Sequence, residues 1–138
     1  MTGQRELQPT GLIRSQFDCL EQCSEQAVAM QREELQQGTA VHVENAASAA
    51  VSNRLINVKL ARAIGEVIEL VLDQWMSLPD SARYWLAGAM LYFSSSNDDE
   101  PDFSSPIGFE DDTEVLNACL RFANLNHLCL KVENYDDV

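Results

Sequence analysis

The sequence predicts an all-α protein: a compact bundle of four to five helices, with a long N-terminal helical hairpin and an ordered acidic loop before the last helix. Apolar residues recur at three- and four-residue steps along most of the 138 residues, the spacing of one helix face, and strand-like alternation is scarce. The length fits one domain, predicted at residues 11–138 behind a flexible lead of residues 1–10.

Two long helices are expected to form the N-terminal hairpin. The first runs from Leu12 to Gln37, with Gly38 as its expected C-cap. Its apolar residues form a narrow stripe: Ile13, Phe17, Leu20, Cys23, Ala27 and Met30. The second runs from about Val43 to Trp75, which is long for a globular helix, so a break is expected near Ser52 and Asn53.

The third helix is predicted at Ala82–Phe93, with Asp80 or Ser81 as its N-cap. It is apolar on nearly every side, which indicates the buried centre of the bundle. Gly88, flanked by alanines, predicts a close crossing with another helix.

The last helix is expected to begin at Asp111, with Glu114 completing a capping box and the carboxylates facing the positive end of the helix dipole. For the tail, residues 128–138, the sequence leaves three alternatives open: a short strand, a continued helix or disorder.

Charge is the strongest functional signal. The chain carries 22 acidic and nine basic residues, a net charge of −13, and eleven of the acids lie from Asp98 onward. This excess argues against direct binding of nucleic acid or of an anionic membrane, and it favours a protein partner with a basic patch. A homo-oligomer paired through the narrow N-terminal stripe is the other expectation. The partner-binding candidates are the acids of the loop and of the following helix start: Asp98, Asp99, Glu100, Asp102, Glu110, Asp111 and Asp112.

Two groups of residues could bind a metal ion, and each also has a plainer structural role. A calcium or magnesium site would use Asp98, Asp102, Asp111 and Asp112, although Phe103 and Phe109 stand where an EF-hand requires Gly and Glu. Capping and solvation are the favoured roles of these acids. A zinc site would use Cys19 and Cys23, which share one helix face, together with His127 and Cys129, although no Cys-x-x-Cys motif occurs. Reduced cysteines packed as small apolar groups, Cys119 among them, are favoured instead.

No catalytic signature is evident. The two histidines, His42 and His127, lie near no nucleophile motif. The sequence therefore predicts a protein that is not an enzyme and uses no cofactor.

Residues 87–116 resemble the YkvA-type family of small, mostly uncharacterised bacterial proteins. In that family an apolar helix ends in Tyr-Phe and an Asp-Asp pair opens the next helix. The matching residues are Tyr92-Phe93, Pro101-Asp102-Phe103, Pro106-Ile107-Gly108 and Asp111-Asp112, within about 30 positions. The resemblance implies a bacterial helical hairpin with a fixed loop, and no enzymatic activity, because the family has no settled one. Its frequent membrane association is not carried over, since residues 94–100 are polar here.

The predicted function is a cytoplasmic, non-enzymatic, acidic helical module that binds a protein partner or itself. The location rests on the lack of an apolar leader or spanning segment. Two alternatives stay open: an acidic nucleic-acid mimic that inhibits a DNA-binding enzyme, and a divalent-metal-binding protein that uses residues 98–112.

Overall fold

The computed structural model describes residues 8–52, 56–94 and 108–135, and it is helical with no strand within those ranges. The all-α prediction is therefore confirmed. Five α-helices occur in this part of the chain: α1 Arg14–Ala27, α2 Arg32–Ala50, α3 Val58–Asp73, α4 Asp80–Ser94 and α5 Gly108–Phe122. Short 3₁₀ turns lie at Trp75–Ser77, Asn126–Leu128 and Val132–Tyr135.

Helix α4 occupies the centre, as its apolar sequence predicted. It packs against α1, α2 and α5, while α3 packs mainly against α2. Nine of its residues are buried, Trp85, Met90 and Phe93 among them. Helix α3 turns a continuous apolar face inward, with Leu60, Ile64 and others fully buried. The core therefore lies around α4, and the outer faces of α1, α2 and α3 carry the polar residues.

The predicted first helix is wrong in its extent. The chain turns at Val28–Gln31, and Gly38 lies inside α2 instead of capping a helix. At the turn, the backbone N–H of Gln31 donates to Oε1 of Glu34 at 2.9 Å, one half of a capping box that begins α2. Because the chain reverses here, α1 packs on α4 and α2 packs on α3. The long N-terminal hairpin is therefore not formed.

The break predicted near Ser52 is confirmed, because α2 ends at Ala50 and α3 begins at Val58. Asn57 is the N-cap of α3. Its side-chain Oδ1 accepts a hydrogen bond from the N–H of Leu60 at 3.1 Å, which satisfies a donor that the first turn would otherwise leave unpaired.

We expect Asn57→Ala to lower the free energy of unfolding by about 1 kcal/mol, since alanine cannot accept that hydrogen bond. Urea unfolding followed by circular dichroism measures the change. Asn45→Ala is the matched control, because Asn45 is exposed inside α2 and alanine is a better helix former. Equal losses in the two variants would show that Asn57 does not cap α3.

The last two helices begin earlier than predicted. Helix α4 includes Asp80, so Asp80 belongs to the first turn and pairs with Arg83 three residues on. Helix α5 begins at Gly108, which places Asp111 inside the helix, and the predicted capping box with Glu114 is therefore wrong. Their carboxylates still lie near the positive end of the helix, where they are favourable.

Gly88 marks the crossing of α4 with α1, as predicted. A Cβ atom at Gly88 would lie 1.9 Å from Oγ of Ser24 and 2.9 Å from its Cα. The two backbones can approach this closely only because position 88 has no side chain. Glycine here therefore fixes how α1 sits on the central helix.

The tail folds back on α5. Asn117 makes two hydrogen bonds of 2.8 Å with the backbone of Leu130, one accepted by its Oδ1 and one donated by its Nδ2. Between the 3₁₀ turns the chain therefore runs along α5 without forming a strand. Residues 1–7, 95–107 and 136–138 lie outside the described residues. Most of the predicted acidic loop, residues 98–112, is therefore not described, and its last five residues belong to α5.

Candidate functional site

The acidic candidates divide into two groups. Asp98, Asp99, Glu100 and Asp102 lie outside the described residues. The remaining three, Glu110 to Asp112, open α5, where Glu110 and Asp111 are half-buried and Asp112 is 2% exposed. Asp112 is therefore an interior group, and Glu110 is more accessible to a partner than Asp112.

Asp111 joins three helices. Its Oδ1 accepts a hydrogen bond from Nε2 of Gln16 on α1 at 2.6 Å, and its Oδ2 accepts one from the hydroxyl of Tyr92 on α4 at 2.5 Å. Tyr92 is buried, so its hydroxyl needs this acceptor. The side chain of Asp111 is thus directed toward the bundle, where it holds α5 against α1 and α4.

The electrostatics of this cluster follow from its burial. Burial raises the pKa of Tyr92 well above its usual value, and the hydrogen bond to Asp111 and the carboxylate's negative charge raise it further. Tyr92 therefore stays protonated as a donor through neutral pH. The cluster is suited to holding helices together, and it gives Tyr92 no tendency to accept or release a proton near neutrality.

An outward-facing acidic surface lies on α1, and the sequence reading missed it. Five exposed residues follow one another at three- and four-residue steps along this helix and its C-cap: Arg14, Asp18, Glu21, Glu25 and Val28. We call them the α1 outer stripe. Residues at these steps share one helix face. The spacing of the three acids was the signal that could have found it.

The stripe is dominated by carboxylates. From the first acid to the last is seven residue steps, about 10.5 Å along the helix axis. The stripe has one basic residue, Arg14, whose Nε lies 3.6 Å from Oδ2 of Asp18. Both side chains are largely exposed, so this ion pair contributes little to stability. Val28 is 70% exposed and adds an apolar contact at the end of the stripe. Two further exposed acids, Glu33 and Glu34, open α2 just past the turn.

Glu25 is held in place by the helix beneath it. The hydroxyl of Tyr84 on α4 donates to its Oε2 at 2.6 Å. This hydrogen bond, followed by burial and by the charges of Glu25 and Glu21, raises the pKa of Tyr84 to about 12. At neutral pH the stripe therefore presents Glu25 in a fixed position.

The possible metal ligands do not come together where the structure shows them. Within residues 8–52, 56–94 and 108–135, no group of three His, Cys, Asp or Glu residues could hold an ion. The four cysteines form no disulfide. Burial raises the pKa of the Cys119 thiol, and it also raises that of Cys129, which is less buried. Both thiols therefore stay protonated at neutral pH. The zinc arrangement is thus not formed here, and the acidic-loop site stays a prediction because Asp98 and Asp102 lie outside these ranges.

Comparisons with known proteins found no relative. No family model, no curated protein and no solved structure matches the chain. The similarity to the YkvA-type family therefore rests on the residues quoted for it. No helix among the described residues is long and apolar enough to cross a membrane.

Proposed function

We propose that this chain is a non-enzymatic interaction module that binds a basic surface of a protein partner. The α1 outer stripe is the observation that carries the proposal: three exposed carboxylates on one helix face, with Glu25 fixed by Tyr84 and Val28 at the end. The net charge of −13 adds a long-range attraction to a basic partner.

The arrangement suits recognition between proteins. Complementary charge speeds association and sets the orientation of a partner, while apolar contact supplies burial. The charge comes from Asp18, Glu21 and Glu25. The apolar contact comes from Val28 and from Ile13, which is exposed at the start of α1. A basic helix or loop with one apolar anchor would match this surface.

Self-association through the narrow N-terminal stripe is a weaker form of the proposal. Leu20, Cys23 and Ala27 of that stripe are buried, and α1 packs on α4. Pairing through these residues would require α1 to leave the core. A partner with a different sequence is therefore the form that we favour.

Mimicry of nucleic acid is the second candidate, and the spacing of the same carboxylates bears on it. Duplex DNA carries one charge per about 1.7 Å of axis, whereas the stripe carries three over about 10.5 Å. The charge density of the stripe alone is thus well below that of a DNA duplex. A target whose DNA-binding groove is filled by this protein would nevertheless release DNA when it binds.

Affinity capture tests the proposal with three baits. They are the natural chain, the variant D18N/E21Q/E25Q, and the control E44Q/E66Q/D73N, which removes three exposed acids from α2 and α3. The amides keep their shapes, and glutamine at position 25 can still accept from Tyr84. We expect the natural chain and the control to capture the same basic protein. The amount captured by the α1 variant should be at least tenfold lower. Equal capture by all three, or capture of no basic protein, would contradict the proposal.

A further inference from the structure

A cleft of about 290 Å³ opens where the turn between α1 and α2 meets the Trp75–Ser77 turn and the start of α4. Leu35 and small apolar residues contribute to its walls. Trp75 and Tyr84 add aromatic surface, and Arg32 and Arg83 add two guanidinium groups. Two cationic side chains in one concavity are notable on a protein of net charge −13.

Each guanidinium group has a partner of its own at the edge of the cleft. Nε of Arg32 donates to the backbone carbonyl of Leu72 at 3.1 Å, and its two terminal amino groups are not part of that bond. Arg83 is 27% exposed and pairs with the carboxylate of Asp80, which is 95% exposed. Because Asp80 is so open to solvent, this pair is weak and another carboxylate can replace it.

We infer that this cleft binds an organic carboxylate with a small aromatic or apolar body. The planar fork of a guanidinium matches the two oxygens of a carboxylate, and the aromatic walls suit a flat apolar group. The hydroxyl of Tyr84 is already donated to Glu25, so the two guanidinium groups are the charged donors that the cleft offers a ligand. The cleft volume of about 290 Å³ is suited to a small molecule or to one terminal residue of a chain. The cleft adjoins the α1 outer stripe, because Val28 belongs to both, but the ligand would contact the two arginines and not the carboxylates of the stripe.

Trp75 provides the measurement. The chain has two tryptophans, Trp75 at the cleft and Trp85 in the core, so W75F supplies the fluorescence background. The probes are phenylacetate and its uncharged isostere phenylacetamide. We expect a saturable change in Trp75 emission with phenylacetate, at a dissociation constant on the order of 1 mM, and binding at least tenfold weaker with the amide. N-acetylphenylalanine and its amide, run alongside, distinguish a chain terminus from a free acid as the source of the carboxylate.

Two variants at the cleft, each with a matched control elsewhere on the surface, make the result specific. R83Q should weaken phenylacetate binding at least fivefold, whereas R62Q, which removes an equal charge from the exposed face of α3, should change it less than twofold. D80N removes the competing carboxylate and should strengthen binding about threefold, whereas E66Q should not. Binding of acid and amide with equal affinity, equal effects of R83Q and R62Q, no gain from D80N, or no saturation with either acid would each overturn the inference.

Discussion

Replacing Gly88 with alanine is expected to lower the free energy of unfolding by about 3 kcal/mol or more, because the new Cβ cannot fit at the α1–α4 crossing. Ser24 Oγ would lie 1.9 Å from it and Ser24 Cα 2.9 Å from it. The second contact involves backbone, so a side-chain rotation cannot relieve it, and α1 must move away from the central helix. Urea unfolding monitored by circular dichroism measures the loss.

Gly38→Ala is the matched control for this prediction. Gly38 also lies inside a helix, but a Cβ there would meet only the side chain of Ser94, at 3.7 Å, an ordinary contact. Alanine should therefore stabilise α2 by about 1 kcal/mol through its better helix propensity. Adding Ser24→Ala to the Gly88→Ala variant should recover part of the loss, since it removes Oγ and leaves Cα. Similar effects of the two glycine changes would show that α1 does not cross α4 at residue 88.

Replacing Asp111 with alanine is expected to cost about 2 to 3 kcal/mol, because it leaves the buried hydroxyl of Tyr92 without its acceptor and cuts the link to Gln16. Glu110→Ala, at the neighbouring position of the same helix, removes the same charge and should cost less than about 1 kcal/mol. If both variants lost the same amount, the effect would come from the helix dipole and not from the Tyr92 contact.

Alkaline pH should destabilise the protein through the same tyrosine. The pKa of Tyr92 is raised above its usual value of 10.0 in the folded chain, so its contribution to stability is complete below pH 10 and is lost as pH rises above it. Tyr84 has a pKa raised from 10.0 to about 12. Its contribution to stability is lost between these two pH values, and it should be smaller than that of Tyr92 because Tyr84 is partly exposed. We expect Tyr92→Phe to flatten the fall in stability above pH 10, measured by urea unfolding at successive pH values. An unchanged slope in that variant would contradict the buried hydrogen bond.

The central helix was predictable because its evidence is local. Ten neighbouring residues, Tyr84 to Phe93, are all apolar or small, and such a segment has no polar face to present to water. Gly88 within it indicated a close crossing for the same reason. The break before α3 was likewise predictable from helix length, whereas the capping role of Asn57 emerged only in the structure.

The turn at Val28–Gln31 and the orientation of Asp111 were not predictable in this way. The apolar stripe continues through Ala27 to Met30, so the pattern alone predicts one helix, while the end of α1 depends on packing against α4. Asp111 lies in an acidic segment, so its position in the sequence predicts an N-cap of the last helix. Its inward orientation depends on Tyr92 and Gln16, which are 19 and 95 residues away. By contrast, the spacing of Asp18, Glu21 and Glu25 was present in the sequence.

The salt dependence of partner binding tests the central claim most directly. The affinity of the captured basic protein would be measured by calorimetry at salt concentrations from about 0.05 to 0.5 M, for the natural chain and for D18N/E21Q/E25Q. We predict an affinity that falls steeply with salt in the natural chain and a slope at least halved in the variant. A salt-independent affinity, or the same slope in both proteins, would contradict recognition by the carboxylates of α1.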